Sequence, residues 1–319
     1  YPADVQTLGG QAQLKCTRLS PNGTFRFSTA CCNTPVANTR PGAPWAGFLR
    51  EMYVTGGNAA LADQQLGPVR ARIMGRYAKG TPPPGTADRI DLKGMLAVAP
   101  QDPAAAAKEI ERGVQQLGIN AVVINSHTQG EYLSDKKFWD IFAAAEAMDA
   151  PIYLHPNALP PKMYGPFFEC GLDGAIYGFG IETGMHAMRI ITAGVFDRFP
   201  KLRMILGHMG EALPYWAYRL DYMHAATVRS KRYESMKPIQ QRPSDYLRQN
   251  FYITNSGVAW PHAIRFSQEF MGVDRVLYAM DYPYQYAPDE VNILDDMEMS
   301  PEAKKKFFQT NAEAVFKLR

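Results

Sequence analysis

Six histidines, His127, His155, His186, His208, His224 and His262, are spread over a 319-residue chain, and none precedes residue 127. Three of them follow short apolar runs: "INAVVINSH" ends in His127, "IYLH" in His155 and "LRMILGH" in His208. A neutral imidazole suits zinc, manganese or iron, and strands that end side by side in a barrel aim their terminal side chains at one point. Asp281 closes a fourth run, "RVLYAMD", where a carboxylate can bind a metal or move a proton. A single histidine after a single strand usually just caps it with one hydrogen bond. Three histidines and an aspartate at matching places of successive runs point to a shared site, with His155 and Asp281 foremost.

Other candidates carry less. His127 in "NSHTQG" fits a pocket wall and a loop turn equally well. Glu182 and His186 in "GIETGMHAMRI" fall at an expected helix start, where an acidic side chain favours the positive end of the dipole. His224 and His262 read as surface or packing residues, and "KKK" at 304–306 as a solvated helix face.

The elements that must position these residues begin near Leu92. Six apolar runs, at 92–100, 119–126, 151–156, 202–208, 250–256 and 275–281, alternate with amphipathic stretches, the signature of repeated strand-helix units. In "DPAAAAKEIERGVQQLG", Asp102 is a fitting N-cap and Gly118 a stop. Because the runs are nearly continuous in apolar residues, both sheet faces should be covered, as parallel sheets require. No GxGxxG follows a strand, which weighs against a dinucleotide fold. The polar residues fall at the C-terminal ends of the runs, where barrel enzymes place their chemistry, so a (β/α)8 barrel is expected.

Residues 1–90 read differently. They hold 15 Leu, Ile, Val and Phe, whereas Gly, Ala, Pro and Arg supply 40 positions. That apolar share is below the rough one-fifth at which a segment struggles to build a core. Ten Lys and Arg against four Asp and Glu make this part +6, and a chain total of +3 leaves −3 for the remainder. "TPPPGT" at 81–86 reads as a linker. The expected division is 1–87, atypical, and 88–319, catalytic. A disordered basic arm, a replacement for the first barrel units and a stretch translated out of frame all fit residues 1–87.

The whole chain is 46% hydrophobic and 20% charged, the make-up of a globular protein, and its small net charge points to neither nucleic acid nor membrane. No run reaches the roughly 18 apolar residues of a spanning helix, and the first residues lack a basic start followed by an apolar run, so the cytoplasm is the expected compartment. The four cysteines, Cys16, Cys31, Cys32 and Cys170, lack CxxC spacing and are expected as free thiols.

The motifs "YLHP", "LGHMGEALPYWAYRLD", "NFYITNSG" and "RVLYAMDYPYQY" together resemble the amidohydrolase-related, metal-dependent decarboxylases of aromatic acids, most closely those acting on 5-carboxyvanillate in lignin-fragment degradation. The resemblance runs over about residues 88–319 and includes "VAPQDP", "INSHTQG", "GLDGAI", "ETGMH" and "KKKFFQTNAE". It implies an amidohydrolase-type TIM barrel in which strands three to eight are recognisable and strands one and two are missing or replaced. It also implies one divalent metal, manganese or zinc, no organic cofactor, and non-oxidative loss of CO2 from a hydroxylated benzoate. By the same resemblance, His155 and Asp281 are metal ligands, Asp281 also exchanges a proton, and His208 and Glu211 line the pocket. Arg219 and Tyr284 contact a small aromatic carboxylic acid, and the assembly is a homodimer or homotetramer. The family takes a further ligand from strand one, in an HxH or ExE-like pattern, and residues 1–90 contain only Glu51 and no histidine. A lactone or amide hydrolase of the same superfamily and an inactive truncated relative are the competing readings.

Overall fold

The computed structural model describes the backbone of residues 14–17, 25–29, 35–39 and 46–48, together with residues 95–281, 285 and 288–318. The chain divides into two compact units, and the division falls close to residue 87. In the first unit β1 (Leu14–Thr17), β2 (Phe25–Thr29), β3 (Pro35–Thr39) and β4 (Ala46–Phe48) form an antiparallel meander in sequence order.

The second unit carries the six strands that the apolar runs predict. They are β5 (Met95–Ala97), β6 (Ala121–Asn125), β7 (Ile152–His155), β8 (Met204–Leu206), β9 (Phe251–Thr254) and β10 (Val276–Leu277). All pair in parallel and in sequence order, so each connection is a strand-helix-strand crossover. The principal helices are α1 (Pro103–Leu117), α2 (Trp139–Ala147), α3 (Pro161–Phe168), α4 (Gly178–Thr192), α5 (Leu213–Ser230), α6 (Pro243–Asn250) and α7 (Pro261–Met271). Beyond β10 come α8 (Pro288–Asp295) and α9 (Asn311–Phe316). The caps of α1 are as the sequence suggests. Asp102 accepts the Ala105 N–H at 3.0 Å, and Gly118 ends the helix at φ 67°, a left-handed conformation that costs glycine nothing.

Period-two alternation sorts each strand between two faces. Val122, Ile124, Ile152, Leu154, Met204, Leu206, Phe251, Ile253 and Val276 join the large core beneath the helices, with Ile110, Phe142 and Ile190. Each such side chain contributes about 1.5–3 kcal/mol by leaving water. The intervening residues line the inner face, where Ile205 and Leu277 pack with Tyr153, Tyr252 and Val315. Val315 belongs to α9, which is tied to the N-terminal ends of the strands. Asn120 Nδ2 donates to the Phe316 carbonyl, Arg203 Nη1 to that of Val315 at 3.3 Å, and Lys317 Nζ to that of Asp149 at 2.9 Å. Helix α9 therefore closes the bottom of the arc and leaves the C-terminal ends of the strands for chemistry.

Among the described residues the sheet holds six strands, where a closed barrel has eight, with β5 and β10 outermost. This matches the expectation that strands three to eight are recognisable. Among the described residues no helix is long and apolar enough to cross a membrane.

Candidate active site

His155 is the last residue of β7, on the inner side of the pleat and exposed at the C-terminal end of the sheet. Its Nδ1 lies 2.8 Å from the Pro156 carbonyl, so the ring proton is held there and the Nε2 lone pair is presented outward. A backbone carbonyl behind the second nitrogen is the usual setting of a metal-ligating histidine.

His208 follows β8 on an unusual turn. Residues 208–212 have φ values of 48°, 58°, 70°, 51° and 60°, five successive left-handed residues of which only Gly210 is glycine. Left-handed backbone costs about 1–2 kcal/mol for each non-glycine residue, and strain of this kind concentrates at functional sites. The turn brings His208 Nδ1 within 2.7 Å of Glu211 Oε1, with the Glu211 side chain only 3% exposed. Burial alone would lower the His208 pKa. The Glu211 hydrogen bond and charge, joined by the charge of Asp281, outweigh it, and His208 holds its proton to a higher pH than a free imidazole.

Space for Glu211 comes from α4. A Cβ on Gly180 would lie 2.9 Å from Glu211 Oε2, and one on Gly184 would lie 3.3 Å from Glu211 Cβ. Asp281, at φ 61°, stands half-buried beyond β10, close enough for its charge to bear on the protonation of both His208 and Tyr153. Gly257, at φ 65°, lies beside this carboxylate: a Cβ there would meet Gln285 Oε1 at 2.9 Å and Asp281 Oδ2 in ordinary contact at 3.7 Å. Gln285 fastens the segment, donating from its backbone to the Asp281 carbonyl at 3.1 Å and from its side chain to the Gly257 carbonyl at 2.8 Å.

Tyr153, Thr254 and Ser256 were not singled out from sequence. The Tyr153 hydroxyl lies 3.1 Å from Thr254 Oγ1, which lies 2.9 Å from Ser256 Oγ, a hydroxyl chain across the inner face beneath the site. Burial pushes the Tyr153 phenol up against the hydrogen bonds of Thr254 and Ser256, and the charges of Glu211 and Asp281 push the same way, so it stays neutral. A Cβ on Gly207 would meet the Tyr153 oxygen at 3.1 Å. The available signal was period two, which puts Tyr153 on the same face as His155.

The remaining candidates separate. Arg219 lies exposed in the second turn of α5, with no ion pair among the described residues, and Tyr284 is outside the described residues. His127 takes the loop role: Nε2 donates to the Ala158 carbonyl at 2.7 Å and Nδ1 accepts the Gly130 N–H at 3.0 Å. Glu182 and His186 are fully buried within α4, which begins at Gly178, upstream of a helix start at Glu182. His262 is exposed beside Trp260, and Cys170 is a free, exposed thiol.

For a divalent cation the donor types fit, one imidazole nitrogen on His155 and the carboxylate of Asp281. In number they fall short, since among the described residues no three His, Cys, Asp or Glu are grouped to hold a metal, and catalytic zinc sites take three protein ligands.

A parallel strand-helix sheet with histidines and an aspartate at its C-terminal end defines a barrel enzyme of the amidohydrolase class, and residues 86–318 match the model of the family described as Amidohydrolase. The chain belongs to that family. It is 34% identical over 234 residues to a gamma-resorcylate decarboxylase of Polaromonas sp., the match covering 71% of each chain. It is 59% identical, with a TM-score of 0.69, to the crystal structure of 5-carboxyvanillate decarboxylase from Novosphingobium aromaticivorans with bound manganese and 3-methoxy-4-hydroxy-5-nitrobenzoic acid. That match covers 70% of this chain and 64% of the other. It is 31% identical, with a TM-score of 0.64, to a 2,6-dihydroxybenzoate decarboxylase complexed with 2,6-dihydroxybenzoate, over 70% and 69% of the two chains. Residues 1–99 match the model of a family of unknown function (DUF6151).

Proposed function

We propose that residues 88–319 catalyse the non-oxidative decarboxylation of a hydroxylated aromatic acid, of the 5-carboxyvanillate type, with a divalent manganese or zinc ion. The observation that carries this reading is the His208–Glu211 pair at the C-terminal end of the sheet, within reach of the Asp281 charge, in a chain whose relatives are decarboxylases of such acids. His155 and Asp281 would hold the cation, which supplies positive charge to neighbouring phenol and carboxylate oxygens when bound.

The chain's own residues do the rest. His208, kept protonated chiefly by Glu211, donates a hydrogen bond to the substrate's anionic oxygens. Arg219 can grip a carboxylate bidentately, and Tyr284 packs against the ring. Asp281, having taken up a proton from solvent, delivers it to the ring carbon that bears the carboxylate. The carbon-carboxylate bond then breaks, its electron pair restores the aromatic ring, and CO2 leaves. The phenolate is the electron source, so no organic cofactor enters the balance.

Residues 1–87 form a separate unit in this reading, supported by the antiparallel meander and the separate family match. Self-association as a homodimer or homotetramer is supported by the exposed aromatic stripe Tyr215, Trp216, Tyr218 and Tyr222 on α5.

The test is CO2 release from a hydroxybenzoate panel by protein supplied with manganese, run in deuterated water. His155→Ala should abolish bound manganese by elemental analysis, and Asp281→Asn should end deuterium incorporation at the vacated ring carbon. A second reading, an inactive relative, is favoured by the count of six parallel strands among the described residues and by the absence of histidine from residues 1–90. It prevails if this chain is inert while a version with a restored first strand turns over. Hydrolysis of a lactone or amide without CO2 release would favour the hydrolase.

A further inference from the structure

Helix α4 carries glycine at positions 180 and 184, and neither position calls for glycine by its backbone. Both residues lie inside the helix, without the left-handed φ that Gly194 and Gly210 adopt. Inside a helix alanine is the better residue, because glycine loses more conformational freedom on folding. Space is the remaining reason for glycine. Four residues apart, the two fall on one face of α4, and that face meets Glu211. A Cβ at 180 would lie 2.9 Å from Glu211 Oε2, and one at 184 would lie 3.3 Å from both the Cβ and the carbonyl oxygen of Glu211.

The two glycines hold different parts of this residue. Gly184 faces its backbone, inside the left-handed turn of residues 208–212, and Gly180 faces the tip of its carboxylate. A flexible carboxylate normally swings away from an added methyl at little cost. Here it is pinned: the Glu211 side chain is only 3% exposed, and its other oxygen, Oε1, is bonded to His208 Nδ1 at 2.7 Å. A retreat of Oε2 from position 180 therefore turns or withdraws Oε1 from His208. Gly207 walls the opposite oxygen, since its Cβ would lie 4.0 Å from Glu211 Oε1 and 3.1 Å from the Tyr153 hydroxyl.

We propose that Gly180 and Gly184 are positioning residues, which together form a seat on α4 that fixes Glu211 and, through it, the hydrogen bond that orients His208. The effect on turnover rests on the decarboxylase reading above, and the seating of Glu211 does not.

Gly180→Ala and Gly184→Ala in the full chain test this, with Gly165→Ala on α3, where a Cβ would meet open space, as the control. In chelated protein, proton NMR of the His208 ring should show its titration moved to lower pH in both seat variants, because the Glu211 bond and charge are the main terms that raise it against burial, with the Asp281 charge beside them. For CO2 release kcat should fall about 10-fold or more, since misplacing a reacting group by about 1 Å can cost roughly 100-fold. The control should keep wild-type values of both. The decisive arm is a Glu211→Ala background. With no carboxylate opposite position 180, Gly180→Ala should move the His208 titration no further, the non-additivity expected of residues in contact. Thermal melts identify the folded variants, and if Gly184→Ala, which presses on backbone, does not fold, Gly180→Ala decides alone. Wild-type titration and kcat in folded Gly180→Ala would overturn the seat, as would an equal shift with and without the Glu211 side chain. If the wild type releases no CO2 while the titration still moves in Gly180→Ala, the seat stands and the decarboxylase reading falls.

Discussion

Glu211→Gln isolates the charge of the His208–Glu211 pair while keeping its shape. The amide oxygen can take the place of Glu211 Oε1, 2.7 Å from His208 Nδ1, so a hydrogen bond survives and the anion does not. A hydrogen bond to a charged group contributes about 1.5–3 kcal/mol, against about 0.5–1.5 for a neutral one, so the variant should lose about 1–2 kcal/mol. The loss depends on pH, because the folded His208 pKa lies above its ordinary value. A raised histidine contributes stability that is fully present below its unfolded pKa, about 6.5, and is lost as pH rises through the folded pKa. The difference between wild type and variant should therefore be largest near pH 6 and shrink towards pH 9. With Glu211 neutral, burial is opposed only by the Asp281 charge, and the His208 titration should move down. Urea unfolding at the two pH values, with proton NMR titration of the His208 ring, both on chelated protein, makes the measurement. An unchanged His208 titration, or a destabilisation that grows with pH, would refute the pairing.

Two further substitutions test the backbone and the floor of the site. Gly210→Val should destabilise the second unit by about 3 kcal/mol or more, since its Cβ would meet Ile253 Cγ2 at 2.8 Å at a φ of 70°. A lowered urea midpoint with an unchanged slope checks this. Tyr153→Phe removes the hydroxyl 3.1 Å from Thr254 Oγ1 and should cost only about 0.5–1.5 kcal/mol, because Thr254 keeps Ser256 as partner. A small loss by the same assay supports a floor role, and a loss of several kcal/mol would contradict it.

The six strands were legible because each is a short apolar run bounded by polar or turn residues, and a strand buried on both faces needs little else. His155 was legible for the same reason, as a titratable ring closing such a run. Tyr153 was not, since a tyrosine inside a strand is ordinary by propensity and only the register shows that its hydroxyl meets Thr254. The turn at 208–212 left one local sign, Gly210, because four non-glycine residues accept left-handed backbone only where packing compels them. The atypical composition of residues 1–90 was plain, yet its charge and apolar poverty gave no hint of a four-stranded meander.

Glu182 and His186 show why a correct local reading can miss the larger arrangement. An acidic residue near a helix start does favour the dipole, but α4 begins four residues before Glu182, and His186 lies one helical turn further on. That spacing puts both side chains on one face of α4. What His186 bonds to is the 126–133 loop, more than fifty residues upstream, through Ser126 and Leu133. Pattern within a window of a dozen residues cannot carry such a contact. His186, among the most deeply buried polar side chains of α4, thus has its partners far away in sequence, and one of them, Ser126, donates its backbone N–H to the carbonyl of the ligand candidate His155.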